Sequence, residues 1–162
     1  MANAKALPTV LITGASAGIG ATYADRFARR GHDLVLVARD KARMEELAKR
    51  LRAATSVTID ILPADLTVPA DLARVEKRLR DDDRIGVLVN NAGAAAPGGF
   101  ADPDLEATDR LIRLNVTAVT RLAGAVVPRF QSFANRSEAG IVPEGERPRP
   151  RRKDREPARQ QR

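Results

Sequence analysis

The stretch Val10-Leu11-Ile12-Thr13-Gly14-Ala15-Ser16-Ala17-Gly18-Ile19-Gly20 decides the fold. Its opening run, Val10 to Ile12, is continuous and largely β-branched, as a strand covered on both faces requires. Gly14 lets the chain turn sharply. Gly18 and Gly20 remove side chains where a phosphate or the sheet must come close to the backbone. From Ile19 the period becomes helical: Ile19, Tyr23 and Phe27 recur every fourth residue, with Ala24 and Ala28 beside them. This pattern predicts a first helix with Tyr23 on its core face. The free N–H groups and positive dipole end of such a helix make an anion site. Three glycines at a helix start also occur in ordinary tight turns, so the rest of the chain has to decide.

Composition sets bounds. The chain has 162 residues, enough for one domain. With no cysteine and a single histidine, His32, disulfide frameworks, thiolate metal sites and zinc clusters are not expected. The N-terminus lacks the long apolar segment of a signal peptide, and no apolar run approaches the length of a membrane span. A cytoplasmic, soluble protein is the expectation. The net charge of +7 is unevenly spread: residues 1–128 carry 18 basic and 16 acidic groups, whereas 129–162 carry 10 and 5.

Outward from the glycine stretch, strands and helices alternate. Gly31-His32-Asp33 reads as a helix stop, and Leu34 to Ala38 as a second buried strand. Asp40 caps a helix whose apolar face is Met44, Leu47, Ala48 and Leu51. Val57 to Leu62 is a third strand. Thr67 or Pro69 opens a third helix with Leu72, Val75 and Leu79 inward, broken by Asp81-Asp82-Asp83. Ile85 to Val89 is a fourth strand, followed by a loop, Gly93 to Gly99, and a long helix from about Pro103 to Ala125 or Phe130. The alternation implies an α/β fold, a doubly wound parallel sheet of Rossmann type over 1–130, with a fourth strand exposed at its edge. From Gln131 onward the periods vanish, and four of the ten prolines fall there among Arg, Glu and Gln. Residues 131–162 read as a disordered basic tail.

The spacing Gly-x-x-x-Gly-x-Gly with Thr13 before it, together with Asn90-Asn91-Ala92-Gly93, resembles the short-chain dehydrogenase/reductase family over about residues 7 to 130. The resemblance implies a nicotinamide dinucleotide as cofactor, with hydride transfer between NADPH and a small carbonyl or alcohol substrate. It places the pyrophosphate and ribose on Gly14, Ser16, Gly18, Ile19 and Gly20. It places the adenine at Asp65 and Leu66, and the nicotinamide ribose along Asn90, Ala92 and Gly93. Asn115, mid-helix, matches the asparagine of a catalytic Asn-Ser-Tyr-Lys set. Possible homo-oligomers follow from the helix near Pro103, which forms a dimer interface in the family.

The end of the second strand bears on NAD against NADP. An acidic residue there binds the ribose 2′-hydroxyl and repels a 2′-phosphate. Arg39 stands there instead and points to NADP, although a solvated arginine is the plainer alternative and Asp40 follows directly. Each remaining residue also has a plain reading: Asp65 as a helix cap, Asn90 to Gly93 as a turn, Asn115 as a side chain satisfied within its helix.

The rest of the catalytic set does not follow. The lone tyrosine, Tyr23, has Phe27 four residues on where a lysine is required. Lys153, the only lysine past residue 77, has no tyrosine near it. Ala139-Gly140-Ile141-Val142 is a faint echo of a fifth strand, cut short by Pro143. The chain as written is therefore expected not to turn over. A frameshift near Arg129 or Phe130 would account for the arginine- and proline-rich ending. The alternative is a non-catalytic nucleotide-binding or interaction module with a basic tail. Nucleic acid is not favoured as a partner, because acidic residues dilute the tail and no aromatic is interleaved.

Overall fold

The computed structural model describes residues 7–95, 104–128 and Phe130. Four strands, β1 (Thr9–Thr13), β2 (Leu34–Ala38), β3 (Ile59–Pro63) and β4 (Ile85–Val89), form one parallel sheet in the order β3-β2-β1-β4. The helices are α1 (Gly18–Arg29), α2 (Lys41–Ala54), α3 (Pro69–Asp81) and the long α4 (Leu105–Pro128). The expected Rossmann-like α/β sheet is thus present. The loop from Ala96 to Gly99 and the tail from Gln131 lie outside the described residues.

Period-two alternation divides the core into two. Val10 and Ile12 of β1 and Leu34, Leu36 and Ala38 of β2 face one side. There they meet Ala24 and Ala28 of α1, and Met44, Leu47, Ala48 and Leu51 of α2. Leu11, Val35 and Val37 face the other side, against Leu72, Val75 and Leu79 of α3 and Ala118, Leu122 and Val126 of α4. β1 and β2 are buried along their whole length, whereas β4 beyond Ile85 is half-buried, as an edge strand is.

Two expectations need correction. The core face of α1 is Gly20, Ala24 and Ala28, with Phe27 half-buried against it; Ile19 and Tyr23 of the expected stripe are not part of it. Ile19 is 70% and Tyr23 43% exposed. Small residues let the helix axis approach the sheet closely, and the Ile19 and Tyr23 side chains are turned out. The second concerns membrane-length segments. α4 spans 24 residues and contains an 18-residue window of mean hydropathy 1.2, so by length and composition alone it is long and apolar enough to cross a bilayer. Its alanines, valines and leucines raise the mean; Ala118, Leu122 and Val126 pack into the core beside the sheet, while 17% of the window is buried.

The sheet's lower end is tied by charge. Asp82 accepts from the Arg84 side chain at 2.8 and 3.0 Å and lies 3.0 Å from Arg78. The Arg84 hydrogen bonds, working against burial, hold its carboxyl down at about 2, from an ordinary 3.8. The folded pKa lies below the unfolded one. The stabilisation is therefore complete above pH 3.8 and is lost as pH falls toward 2. We expect the thermal midpoint to drop across that window, and Asp82→Asn to flatten the drop. An unchanged acid limb in the variant would show that Asp82 is not its source.

Candidate cofactor site

The strand order reverses between β1 and β4, and the carboxyl ends of parallel strands open a crevice at such a reversal. Here the crevice is a cleft of about 720 Å³, lined among others by Gly14, Ser16, Arg39, Asp65, Leu66 and Gly93. Ala92 lines it too.

The turn after β1 is built by three glycines for different reasons. Gly14 and Gly18 have φ of +65° and +55°, the left-handed region that favours glycine. A side chain at Gly18 would meet open space, so its requirement is conformational. Gly20 is needed for space: a Cβ there would run into the Gly14 carbonyl and lie 2.6 Å from Asn91 Nδ2. α1 opens at Ala17 without a side-chain cap, whereas Asp40 caps α2 and Asp104 caps α4. The first-turn N–H groups of α1 are left for an anion.

Asn91 holds this turn; in the sequence reading the segment Asn90 to Gly93 has a supporting role at the sheet's centre, with Asn90 singled out within it. Its Nδ2 donates to the carbonyls of Thr13 at 3.0 Å and Gly14 at 3.3 Å. Thr13 Oγ1 accepts from the backbone N–H groups of Asn91 and Ala92, both at 3.0 Å, and donates to Val89 O at 3.3 Å. The reversal point is thereby stitched from both strands. Asn90 instead donates across to Val119 O on α4 at 3.4 Å. Strand parity holds the signal: Val87 and Val89 face the α1 side and Leu88 the α4 side, so Asn90 follows Leu88.

Asp65 Oδ1 accepts from Thr67 N–H at 2.9 Å and Thr67 Oγ1 at 2.7 Å, while its Oδ2 lies 4.0 Å from Arg39 Nη1. Burial opposes ionisation, but the Thr67 hydrogen bonds and the Arg39 charge outweigh it and hold the carboxyl below its ordinary value. Asp65 does not cap α3, whose N-cap is Val68. Arg39 projects with its side chain 80% exposed at the rim.

Asn115 lies in a π-helical turn, Arg113–Ala118, inside α4. Such bulges often mark functional positions. Its carboxamide is satisfied by a loop instead of its own helix: Oδ1 accepts from Ala94 N–H at 3.0 Å, and Nδ2 donates to Ala94 O at 2.7 Å. Ala94 lines the cleft, so Asn115 shapes its wall from behind. We expect Asn115→Ala to speed hydrogen exchange at the Ala94 amide by about fivefold, the loss of one net hydrogen bond of about 1 kcal/mol. Unchanged exchange would mean the pair does not hold the loop. Behind it, buried Glu76 of α3 accepts from Arg121 of α4, which with Arg80 keeps its carboxyl below the ordinary value.

Of the residues singled out in the sequence, Gly14, Ser16, Arg39, Asp65, Leu66, Ala92 and Gly93 meet at one cleft. Gly20 supports it from beneath. Gly18 and Ile19 are exposed at the start of α1, and Asn90 and Asn115 bind α4 to the loop after β4.

A parallel sheet with a glycine turn at its reversal point defines a dinucleotide-binding α/β protein. The chain belongs to the short-chain dehydrogenase family, whose model matches residues 8–143. The match runs past Phe130 and takes in Ala139-Gly140-Ile141-Val142. Among solved structures, a short-chain dehydrogenase from Sphingobium yanoikuyae in complex with NADPH is 68% identical at a TM-score of 0.76, covering 78% of this chain and 50% of that one. The bulky-bulky ketone specific alcohol dehydrogenase from Comamonas testosteroni is 62% identical at a TM-score of 0.78, covering 79% and 51%. An uncharacterized oxidoreductase of Staphylococcus saprophyticus is 32% identical over 82% of this chain and 56% of its own length. The very-long-chain 3-oxoacyl-CoA reductase-A of Danio rerio is 34% identical over 76% and 40%. The chain thus spans about half the length of the relatives it matches.

Proposed function

We propose that this chain binds NADP(H) in the cleft at the β1–β4 reversal, as the cofactor-binding part of a short-chain oxidoreductase. One observation carries the reading: the glycine turn leading into α1 (Gly14 and Ser16), Arg39, Asp65 and Gly93 border a single cleft at the carboxyl ends of the strands. The NADPH complex of the 68%-identical Sphingobium protein supports NADP. Gly14, Ser16, Gly18, Ile19 and Gly20 take the pyrophosphate and ribose. Arg39 takes the 2′-phosphate, Asp65 and Leu66 the adenine, and Asn90, Ala92 and Gly93 the nicotinamide side. Domain 1–130 is the binding unit, and 131–162 is a basic tail whose first residues, to 143, still fall within the family match.

When bound, NADPH supplies a hydride for a carbonyl carbon. This chain's residues hold and orient the dinucleotide, and Asn115 keeps the loop wall in place. The sequence holds no Tyr-x-x-x-Lys pair, so no side chain of that motif moves a proton at the carbonyl oxygen. Positioned acid–base groups contribute about 10²–10⁴ in rate. The 162-residue chain alone is therefore proposed to bind without turnover. The bulky ketones named for the Comamonas enzyme are the substrates to try first. Titrating the pure chain with NADPH by nucleotide fluorescence should give saturable binding. NADPH oxidation with ketones should stay at the protein-free rate. No binding would overturn the cofactor assignment, and ketone-dependent oxidation would overturn the inactivity.

A further inference from the structure

We propose that Arg43 is a second determinant of cofactor choice: it contacts the 2′-phosphate together with Arg39 and neutralises Asp40 beside it. The inference rests on the dinucleotide reading above. Asp40 directly follows Arg39 and lines the same cleft. Unpartnered, a carboxylate at this strand end would accept from a ribose diol and repel a phosphate. In this chain it is engaged on both oxygens by one residue. Oδ1 accepts from the Arg43 backbone N–H at 3.0 Å, and Oδ2 lies 3.3 Å from Arg43 Nε.

Arg43 is itself part of the cleft lining. Only its Nε is turned to Asp40. Among the described residues its terminal nitrogens make no hydrogen bond, and the Arg39 guanidinium has only the 4.0 Å contact with Asp65. Two guanidinium forks therefore border the strand end with donors to spare, which is the arrangement that recognises a phosphate dianion. The first turn of α2 fixes their spacing, because Arg43 reaches back to the cap residue. Asp40 thus has two duties, capping α2 and anchoring Arg43, and neither leaves it to a ribose hydroxyl.

The test uses the full chain with NADPH and NADH, by fluorescence titration of wild type, Arg43→Ala, Asp40→Asn and the double variant. Asparagine caps helices as well as aspartate does, so Asp40→Asn keeps α2 in place. Arg43 is largely exposed, and a thermal melt checks that its variant folds. We expect Arg43→Ala to weaken NADPH by about tenfold or more and to leave NADH unchanged or tighter. In the Asp40→Asn background the same substitution should cost NADPH several-fold less, because no carboxylate is unmasked. An Arg43→Ala chain with the wild-type NADPH/NADH ratio overturns the inference, while Arg39→Ala still collapsing that ratio keeps the cofactor reading. Equal losses in both backgrounds overturn the role given to Asp40. A wild type that binds neither dinucleotide overturns the cofactor reading and this inference with it.

Discussion

Gly20→Ala should destabilise the protein by about 3 kcal/mol or more and abolish the proposed dinucleotide binding. The usual effect of this substitution in a helix has the opposite sign, since alanine is favoured over glycine by about 1 kcal/mol. Here the added Cβ would meet the Gly14 carbonyl carbon at 2.8 Å and Asn91 Nδ2 at 2.6 Å. The first is backbone. The second is the clamp on Thr13 and Gly14. Neither can give way without moving α1 off the sheet, which strips Ala24 and Ala28 from the core they share with Val10 and Ile12. Overpacking costs about 1–3 kcal/mol, and more where backbone must shift, against a domain total of about 5–15 kcal/mol. Gly18→Ala is the control. Its side chain would meet nothing, so it should cost only the left-handed backbone strain, about 1 kcal/mol. Urea unfolding of the two variants reads this directly. Equal, small losses would show that the close approach at Gly20 is not what seats the helix.

Arg39→Glu should reverse the cofactor preference. The arginine's charge-assisted bonds to a phosphate contribute about 1.5–3 kcal/mol, a factor of about 10–150 in affinity. Glutamate removes them and adds repulsion between an anion and the 2′-phosphate. A carboxylate there also offers an acceptor to the NAD ribose diol. NADPH affinity should fall by about a hundredfold and NADH affinity should hold or rise. The position is exposed, so folding is not at stake. Parallel losses for both dinucleotides would place the 2′-phosphate elsewhere.

The strands were legible because burial on both faces leaves long apolar runs: Leu34 to Ala38 and Ile85 to Val89 end where the sequence places them. α2 was legible from its cap, and Asp40 does accept from the Arg43 N–H. α1 was misread in its orientation. Its buried face is glycine and alanine, which carry little hydropathy, so the louder Ile19 and Tyr23 suggested the core. The cleft residues could be listed from strand ends, because parallel sheets bring those ends together. What joins them was harder to see. The Asn91 amide and the Thr13 hydroxyl act across 76 or more residues of sequence, through pairing that exists only once β4 lies beside β1. The same holds for Asn115: its partner is a loop backbone, and no spacing rule names it.

The most direct test of the account is a map of amide chemical-shift changes when NADPH is added to the isotopically labelled chain. The account predicts changes concentrated at Gly14 to Gly20, Arg39, Asp65, Leu66 and Asn90 to Gly93, with smaller ones at Arg39 when NADH is used. Absence of shifts at the glycine turn, or shifts confined to α3 and the far end of α4, would contradict it.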